Sequence, residues 1–165
     1  TAPPAAGTPA PSAAEVVASL DLATKVRLLS GRTFWALEAL PEQGIEGIVV
    51  ADGPHGLRCQ VTSADHLGMS PAQPATCFPT ATTLGSSWDV ELAAEVGAAI
   101  GDEARSLGVS VVLGPGLNLK RHPAGGRCFE YLSEDPLLSG RMAAAAVRGI
   151  QSRGVGTSVK HYAVN

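Results

Sequence analysis

The stretch VSVVLGPG, residues 109–116, decides the fold because it is a nearly unbroken apolar run that ends in turn residues. Runs of this kind are typical of parallel strands that are buried on both faces. Apolar residues recur at helical spacing before it, between Asp89 and Gly108, and a second helix is predicted to follow from Asp135 and Pro136. A parallel sheet with helices packed against it is therefore expected.

Two further strands are predicted on either side of this stretch. GIEGIVVAD, residues 44–52, is enriched in β-branched side chains, and VGTSVKHYAVN, residues 155–165, follows the second helix. The resulting order of strand, helix, strand, helix, strand implies right-handed crossovers between parallel strands. These patterns assign the chain to the α/β class.

The first residues differ in composition from the rest. TAPPAAGTPAPSAA, residues 1–14, predicts an extended or disordered Ala/Pro-rich tail before a domain over residues 15–165. The capping-box spacing of Ser12 and Glu15 predicts the start of a helix, and a second helix is expected from Asp21 to a C′ glycine at Gly31. Such a tail is typical of a processed secretory precursor or a trimmed chain, and we favour secretion over a cytoplasmic location.

Composition argues against several classes of partner. The net charge is −3 and aromatic residues make up 4% of the chain, so neither a basic patch nor a stacking platform for nucleic acid is expected. The apolar runs are too short to span a membrane. Cys59, Cys77 and Cys128 are too few for a disulfide scaffold or a closed zinc site, and no metal is predicted. A Cys59–Cys77 bridge and three buried thiols both stay open.

Two internal features concern packing. Residues 60–79 turn polar and contain prolines, which predicts a long surface loop. Gly97 and Gly101 fall inside the predicted helix before VSVVLGPG, where they cost helix propensity. We interpret them as places of close packing rather than as a membrane dimer face, because charged residues follow directly.

Polar side chains gather after each predicted strand. Asp52 follows the first strand, and Lys160 and His161 follow the third. Between them, Asn118, Arg121 and Arg127 follow the second strand. Barrels of the (β/α)₈ type build their sites at this end of their strands. We expect separate segments to bring Asp52, Arg127, Lys160 and His161 together around one cavity.

Other chemistries lack their signatures. GPGLNL, residues 114–119, has Leu119 where a dinucleotide fingerprint needs its third glycine. P-loop spacing, an H-E-x-x-H pair and a G-x-S-x-G nucleophile elbow are absent from the sequence. The remaining carboxylates and cations are suited to charge-assisted hydrogen bonds with a neutral, hydroxyl-rich ligand such as a sugar.

Four motifs follow one another along the chain: DGPHGLR at 52–58, CFPTATTLGSSWD at 77–89, LGPGLNLKRHPAGGRCFEYLSEDPLLSG at 113–140 and GIQSRGVGTSVKHYAVN at 149–165. Their order and spacing are those of glycoside hydrolase family 3, and the sequence resembles the β-glucosidase branch of that family from Leu20 to Asn165. The resemblance implies the N-terminal part of a (β/α)₈ TIM-like barrel, with the rest of the barrel and an α/β sandwich domain beyond this stretch.

The resemblance also implies roles for particular residues. In this family the aspartate of the D-G-P motif, here Asp52, accepts hydrogen bonds from hydroxyls of the sugar at the cleavage point. Arg58 matches the arginine that closes the motif, and it either contacts the sugar or pairs with Asp52. Arg127, Lys160 and His161 match further sugar-binding positions.

Other positions near these motifs are interpreted as structural or as departures from the family pattern. Glu130, Glu134 and Asp135 are expected to anchor a loop and cap helices. Cys128 stands where asparagine is common in the β-glucosidase branch, and Tyr162 replaces a frequent phenylalanine; neither change is expected to alter the chemistry. The Pro-Gly that follows Lys-His in the family's N-acetylglucosaminidases is missing, which favours an unsubstituted glucose-like sugar and leaves a pentose open.

Catalytic carboxyl groups are not predicted within this stretch. Retaining hydrolysis needs two of them about 5–5.5 Å apart, and the resemblance implies that the nucleophilic aspartate and the acid/base glutamate lie beyond Asn165. A (β/α)₈ barrel takes about 250 residues, whereas only three strands are predicted here. We therefore expect the N-terminal part of a larger enzyme, with the remaining segment or chain as its partner and no cofactor.

The resulting functional hypothesis is a retaining β-glucosidase that releases a terminal non-reducing β-D-glucose from a β-glucoside, with this stretch supplying sugar-binding residues. Two alternatives stay open. One is a β-xylosidase or another glycosidase of the same family. The other is a non-catalytic carbohydrate-binding remnant, which would bind glucose without turning over a glucoside.

Overall fold

The computed structural model describes residues 11–60, 70–163 and 165. The chain divides into two compact units, Thr1–Gly47 and Ile48–Asn165. The predicted tail falls mostly on residues 1–10, which lie outside the described residues. Within the described part of the chain, the helices are too short or too polar to cross a bilayer.

The first unit begins with two short helices whose starts are set by side-chain caps. Helix α1 covers Ala13–Ser19, and its N-cap Ser12 accepts a hydrogen bond from the Glu15 N–H at 3.3 Å while donating its own N–H to the Glu15 carboxylate at 2.8 Å. The predicted capping box is confirmed, and α1 includes the last two residues assigned to the tail. Helix α2 covers Leu22–Leu28 and is capped by the carboxylate of Asp21, as predicted.

The end of α2 differs from the prediction. Leu29 is the C-cap residue, two positions before the expected C′ glycine at Gly31. Gly31 instead forms an isolated antiparallel bridge with Leu37. The prediction of Gly31 as a helix-ending residue was wrong because this glycine pairs with a later segment rather than closing the helix.

A short 3₁₀ helix, Pro41–Gln43, follows in the first unit. Leu40 and Ile45 bracket it and pair through backbone hydrogen bonds of 2.8 and 3.0 Å. Ile45 therefore belongs to this small turn, and its assignment to the first strand of the sheet was wrong.

The second unit contains a three-stranded parallel sheet in the order β1-β2-β3. The strands are β1, Val50–Ala51; β2, Val111–Val112; and β3, Gly156–Thr157. Val111 pairs with Val50 on one side and with Gly156 on the other, so β2 is central. The predicted parallel order is confirmed, but each strand is shorter than predicted. A turn at Gly114-Pro115 follows β2, and Pro115 has no N–H to donate to a ladder.

Three helices lie between the strands along the chain. They are α3, Ala81–Ser87, and α4, Val90–Ser106, which come before β2, and α5, Pro136–Gln151, which comes before β3. Asp89 and Asp135 cap α4 and α5 by accepting backbone N–H groups at 2.9 and 2.8 Å, as their positions predict. Helix α3 was not predicted, because its threonines, serines and glycine are weak helix formers. Its start is fixed by the side chain of Thr80.

Helices α4 and α5 pack with their backbones close together. A Cβ added at Gly97 would overlap the backbone of Ala146 in α5, and one added at Gly149 would overlap the backbone of Ala94 in α4. A Cβ at Gly101 would lie 2.9 Å from the Ile150 carbonyl oxygen. The interpretation of Gly97 and Gly101 as close-packing positions is confirmed. The core beside the sheet is made by Ala51, Leu57, Ala104, Val109, Val112, Ile150 and Val155.

The predicted loop over residues 60–79 is described only in part, since residues 61–69 lie outside the described residues. Residues 70–79 contain no helix or strand, in agreement with the prediction. The N–H of Thr76 donates to the Glu103 carboxylate of α4 at 3.1 Å, which attaches this segment to the helix. Cys59 and Cys77 are free thiols in the structure, so the bridge considered between them is not formed.

Candidate functional site

The candidate site lies where the three parallel strands end. Asp52 follows β1 directly, residues 127–131 lie in the connection after β2, and Lys160 and His161 follow β3. The carboxyl ends of parallel strands share one edge of a sheet, which is why segments far apart in sequence meet here. An isolated parallel bridge between Gly116 and Lys160 continues the β2–β3 pairing and fixes the Lys160 backbone at this edge.

The turn that carries Asp52 is closed by its own backbone. The N–H of Arg58 donates to the Asp52 carbonyl oxygen at 2.7 Å, so the two ends of DGPHGLR are bonded together. Gly53 and Gly56 have φ angles of 136° and 135°, a region that favours glycine. A Cβ at either glycine would overlap neighbouring backbone. The turn therefore fixes the position of the backbone that carries the Asp52 side chain.

Four charged side chains form a continuous series of contacts. Lys160 Nζ lies 2.6 Å from Asp52 Oδ1 and 3.7 Å from Glu130 Oε2. Glu130 Oε1 accepts a hydrogen bond from Arg127 Nε. Glu130 is only 3% exposed, and a carboxylate so deeply buried needs ionic and hydrogen-bonding partners. With two carboxylates and two cations, the series has no net charge.

His161 extends the series through both ring nitrogens. Nε2 lies 2.8 Å from Arg127 Nη2, and Nδ1 lies 2.9 Å from the hydroxyl of Tyr131. Asn118 holds the His161 backbone from both sides: its Oδ1 accepts the His161 N–H at 2.5 Å and its Nδ2 donates to the His161 carbonyl at 3.0 Å. The backbone that carries the ring is therefore held by Asn118, and each ring nitrogen has a hydrogen-bonding partner.

Burial and neighbouring charges shift the ionisation of two groups in the site. For Asp52, burial raises the pKa, but the hydrogen bond and charge of Lys160, with Gly53 and Arg127, outweigh it and leave the pKa below its usual value. For His161, burial and the positive charge of Arg127 lower the pKa. At neutral pH these shifts favour an ionised Asp52 and a neutral His161.

The structure brings four of the five predicted site residues into this series of contacts: Asp52, Arg127, Lys160 and His161. Arg58 is placed beside Asp52 by the backbone, and its guanidinium donates to the Ser70 carbonyl oxygen at 3.2 Å. The ion pair found for Asp52 is with Lys160. This contact links the turn to the segment at Ser70, and the sugar-binding role of Arg58 stays a prediction.

Three residues of the series were not singled out as site residues by the sequence. Glu130 was interpreted as a loop anchor, and its burial between Arg127 and Lys160 agrees with an anchoring role at the site itself. Tyr131 carried no separate signal in the sequence. Asn118 did carry one, because it is a polar residue just after an apolar strand.

Two recesses adjoin the series. Lys160 and Glu130 line one of about 80 Å³, together with the Gly114–Gly116 turn. Arg127 and Tyr131 line a second of about 280 Å³ that also borders His122. Lys160 and Arg127 line different recesses, and Asp52 and His161 line neither, so these recesses do not form the single cavity expected around the four side chains. Across the described part of the chain, no group of three or more His, Cys, Asp or Glu residues is arranged to hold a metal ion.

Comparison with protein families and known proteins adds an independent line of evidence. The family model for the glycosyl hydrolase family 3 N-terminal domain matches residues 43–165. An exo-α-(1→6)-L-arabinopyranosidase from Bifidobacterium breve is 50% identical over 150 residues, which is 90% of this chain and 20% of that protein. A thermostable β-glucosidase B from Acetivibrio thermocellus is 47% identical over 151 residues, covering 92% of this chain and 20% of that protein.

A solved structure is similar over the same extent. β-Glucosidase 3B from Thermotoga neapolitana, in complex with α-D-glucose, superposes with a TM-score of 0.82 at 39% identity, covering 92% of this chain and 23% of that one. The predicted fold class, part of a TIM-like barrel, is confirmed by this match together with the parallel sheet. The chain spans about a fifth of the length of the relatives it matches.

Proposed function

Because this chain belongs to glycosyl hydrolase family 3, we propose that Asp52, Arg127, Lys160 and His161 hold the terminal sugar of a β-glucoside that the complete enzyme hydrolyses. Arg58, which closes the motif that begins with Asp52, is kept as a fifth sugar-binding residue of the proposal. The observation that carries the proposal is the contact series Asp52–Lys160–Glu130–Arg127 at the carboxyl ends of the strands.

The charge balance of this series supports a neutral ligand. Each cation already faces a carboxylate, so an anionic ligand such as a phosphate would compete with Asp52 and Glu130 for the same cations. A sugar hydroxyl both donates and accepts, and it adds hydrogen bonds to charged groups without replacing an ion pair. Hydrogen bonds to charged groups are about twice as strong as neutral ones. Asp52, whose side chain is 43% exposed, is the carboxylate available for such a contact.

The proposed mechanism is retaining hydrolysis, in which these residues position the sugar and two further carboxyl groups carry out the chemistry. Neither carboxylate of the series suits the acid/base role. That role needs a carboxyl group whose pKa is raised, whereas the pKa of Asp52 is lowered by Lys160 against the opposing effect of burial. Glu130 is almost fully buried beneath two cations. We propose that the nucleophile and the acid/base lie outside residues 1–165.

A second candidate differs in the sugar rather than in the site. The relative named exo-α-(1→6)-L-arabinopyranosidase is as similar to this chain as the β-glucosidases are, and this favours a terminal pentopyranose as the alternative. A β-xylosidase belongs to the same group of pentose-releasing enzymes. Comparison of rates on nitrophenyl β-D-glucoside, β-D-xyloside and α-L-arabinopyranoside with the full-length gene product distinguishes these candidates. Glucose binding without turnover of any of them would indicate a non-catalytic remnant.

The role of Asp52 gives a direct test. We expect Asp52→Ala in the full-length enzyme to lower kcat/KM by an amount equivalent to about 2–5 kcal/mol, because a charged contact to the sugar is lost and Lys160 is left with one partner fewer. The matched control is Asp102→Ala: Asp102 is an exposed residue near the end of α4, paired with Arg153 at 3.3 Å, and should change kcat/KM little. A change below about threefold for Asp52→Ala would remove Asp52 from the sugar site.

Two further expectations accompany the proposal. The partner of this chain is the remainder of the same enzyme, as a later segment or as a second chain. The protein is secreted, an expectation that rests on the Ala/Pro-rich composition of residues 1–14.

A further inference from the structure

We propose that Tyr131 is a positioning residue that holds His161 as a neutral imidazole protonated at Nδ1, so that Nε2 accepts a hydrogen bond from Arg127. The inference rests on the proposed function, since it concerns how Arg127 is kept in place for the sugar. Nothing in the sequence motifs assigns Tyr131 a role of its own.

The proton position on His161 follows from the chemistry of its partners. A guanidinium group has only N–H donors and does not deprotonate in proteins. The His161 Nε2 atom, 2.8 Å from Arg127 Nη2, is therefore the acceptor and carries no proton. A neutral imidazole has one N–H, which must then be on Nδ1, the nitrogen 2.9 Å from the Tyr131 hydroxyl. Tyr131 is the acceptor in this contact.

The surroundings leave this arrangement few alternatives. Tyr131 is 2% exposed, so water cannot easily replace its hydroxyl as the acceptor. Asn118 holds the His161 backbone at both its N–H and its carbonyl. Burial and Arg127, with Lys160, lower the pKa of His161 and favour the neutral ring against the opposing charges of Glu130 and Asp52. The geometry and the charges agree on the same protonation state.

Loss of the Tyr131 hydroxyl would affect Arg127 through His161. The Nδ1–H would lose its acceptor, which weakens the preference for this tautomer and raises the fraction of rings protonated at Nε2. An Nε2–H would then face an N–H of Arg127, and the two donors would repel each other. Arg127 would keep Glu130 on its Nε atom but lose its second fixed partner. The guanidinium would no longer be held in one orientation.

The first experiment measures the proton position directly. Full-length enzyme labelled with ¹⁵N at histidine is compared by NMR with its Tyr131→Phe and Tyr162→Phe variants, with the His161 signals assigned from their loss in His161→Gln. The wild type is expected to show His161 protonated at Nδ1 and not at Nε2 at neutral pH, with the balance shifted in Tyr131→Phe only. Tyr162 is the second of the two tyrosines, is 104% exposed, and serves as the matched control. A wild-type His161 protonated at Nε2 overturns the proposal.

The second experiment uses kinetics on the same variants. Tyr131→Phe is expected to raise KM about tenfold with a smaller change in kcat, as for a residue that orients a binding group. Glutamine at position 161 keeps an acceptor for Arg127 without an Nδ1–H, so Tyr131→Phe should add little in the His161→Gln background. Additive effects of the two changes contradict the proposal. The NMR result does not depend on turnover, so an enzyme that shows the predicted proton position but does not cleave glucosides would contradict only the proposed function.

Discussion

Two carboxylates, those of Glu130 and Asp52, contact Lys160, and they differ in how much of the side chain is exposed to solvent. The Glu130 side chain is 2% exposed and contacts Arg127 as well, whereas the Asp52 side chain is 43% exposed and stands at the edge of the sheet. A buried carboxylate between two cations fixes their positions, while a half-exposed one has capacity left for a ligand. The structure thus gives the Glu130 carboxylate a positioning role, whereas the binding role of Asp52 belongs to the proposed function.

The Asp52–Lys160 pair should contribute stability that depends on pH in a defined direction. The pKa of Asp52 is lowered in the fold, so the pair contributes above the ordinary aspartate pKa of about 3.9 and its contribution is lost as the pH falls through the lower folded value. We expect the difference in Tm between wild type and Asp52→Asn to be constant from about pH 7 to pH 5 and to shrink below about pH 4. The measurement is thermal unfolding over this pH range. A difference that grows towards acid pH would contradict the assignment.

At the scale of elements, features with a local chemical cause could be predicted from the sequence. The starts of α1, α2, α4 and α5 follow from Ser12, Asp21, Asp89 and Asp135, because a capping side chain acts within its own first turn. Strand lengths could not be predicted, since they depend on pairing with distant segments. The end of α2 was misplaced because Gly31 pairs with Leu37 instead of closing the helix. Helix α3 was missed because tertiary packing stabilises a sequence of low helix propensity, with Gly85 set against the backbone of Leu132.

The close approach of α4 and α5 gives a prediction with an internal control. Gly97→Ala should destabilise the protein by about 1–3 kcal/mol, because the new Cβ would overlap the backbone of Ala146. Gly140→Ala, also within a helix, meets nothing within 4 Å and should be neutral or stabilise by up to about 1 kcal/mol through its better helix propensity. Denaturant unfolding of both variants tests the pair. Equal effects of the two substitutions would exclude close packing as the cause.

At the scale of the whole molecule, the position of the candidate site could be predicted from the sequence, whereas the contacts between its side chains could not. Alternation of strands and helices is sufficient to place Asp52, Lys160 and His161 at one edge of a sheet, because parallel strands put their ends together. The partners of each side chain could not be predicted, since the Glu130 and Tyr131 contacts depend on how residues 127–131 fold back over the strand ends. The contact of the Arg58 guanidinium with the Ser70 carbonyl oxygen, twelve positions along the chain, could not be predicted either.

Residues 1–165 expressed alone are expected to self-associate. Strands β1 and β3 are the edges of the three-stranded sheet, and large apolar side chains such as Trp88, Phe129 and Leu137 are exposed in the described part of the chain. Unpaired strand edges and exposed apolar surface both promote association. Size-exclusion chromatography with light scattering over a range of concentrations measures this. A monomer that unfolds cooperatively at all concentrations would contradict the expectation.

The closed turn at residues 52–58 constrains how the sugar preference proposed for the complete enzyme could be altered. Its ends are joined by a backbone hydrogen bond, and Gly53 and Gly56 have no room for a side chain. Under the proposed function, the carboxylate of Asp52 would therefore approach a hexose and a pentose from the same fixed backbone position. The proposed function then assigns discrimination between the two sugars to residues outside the turn. Directed evolution aimed at a new sugar should therefore leave residues 52–58 intact and randomise the loops that face them.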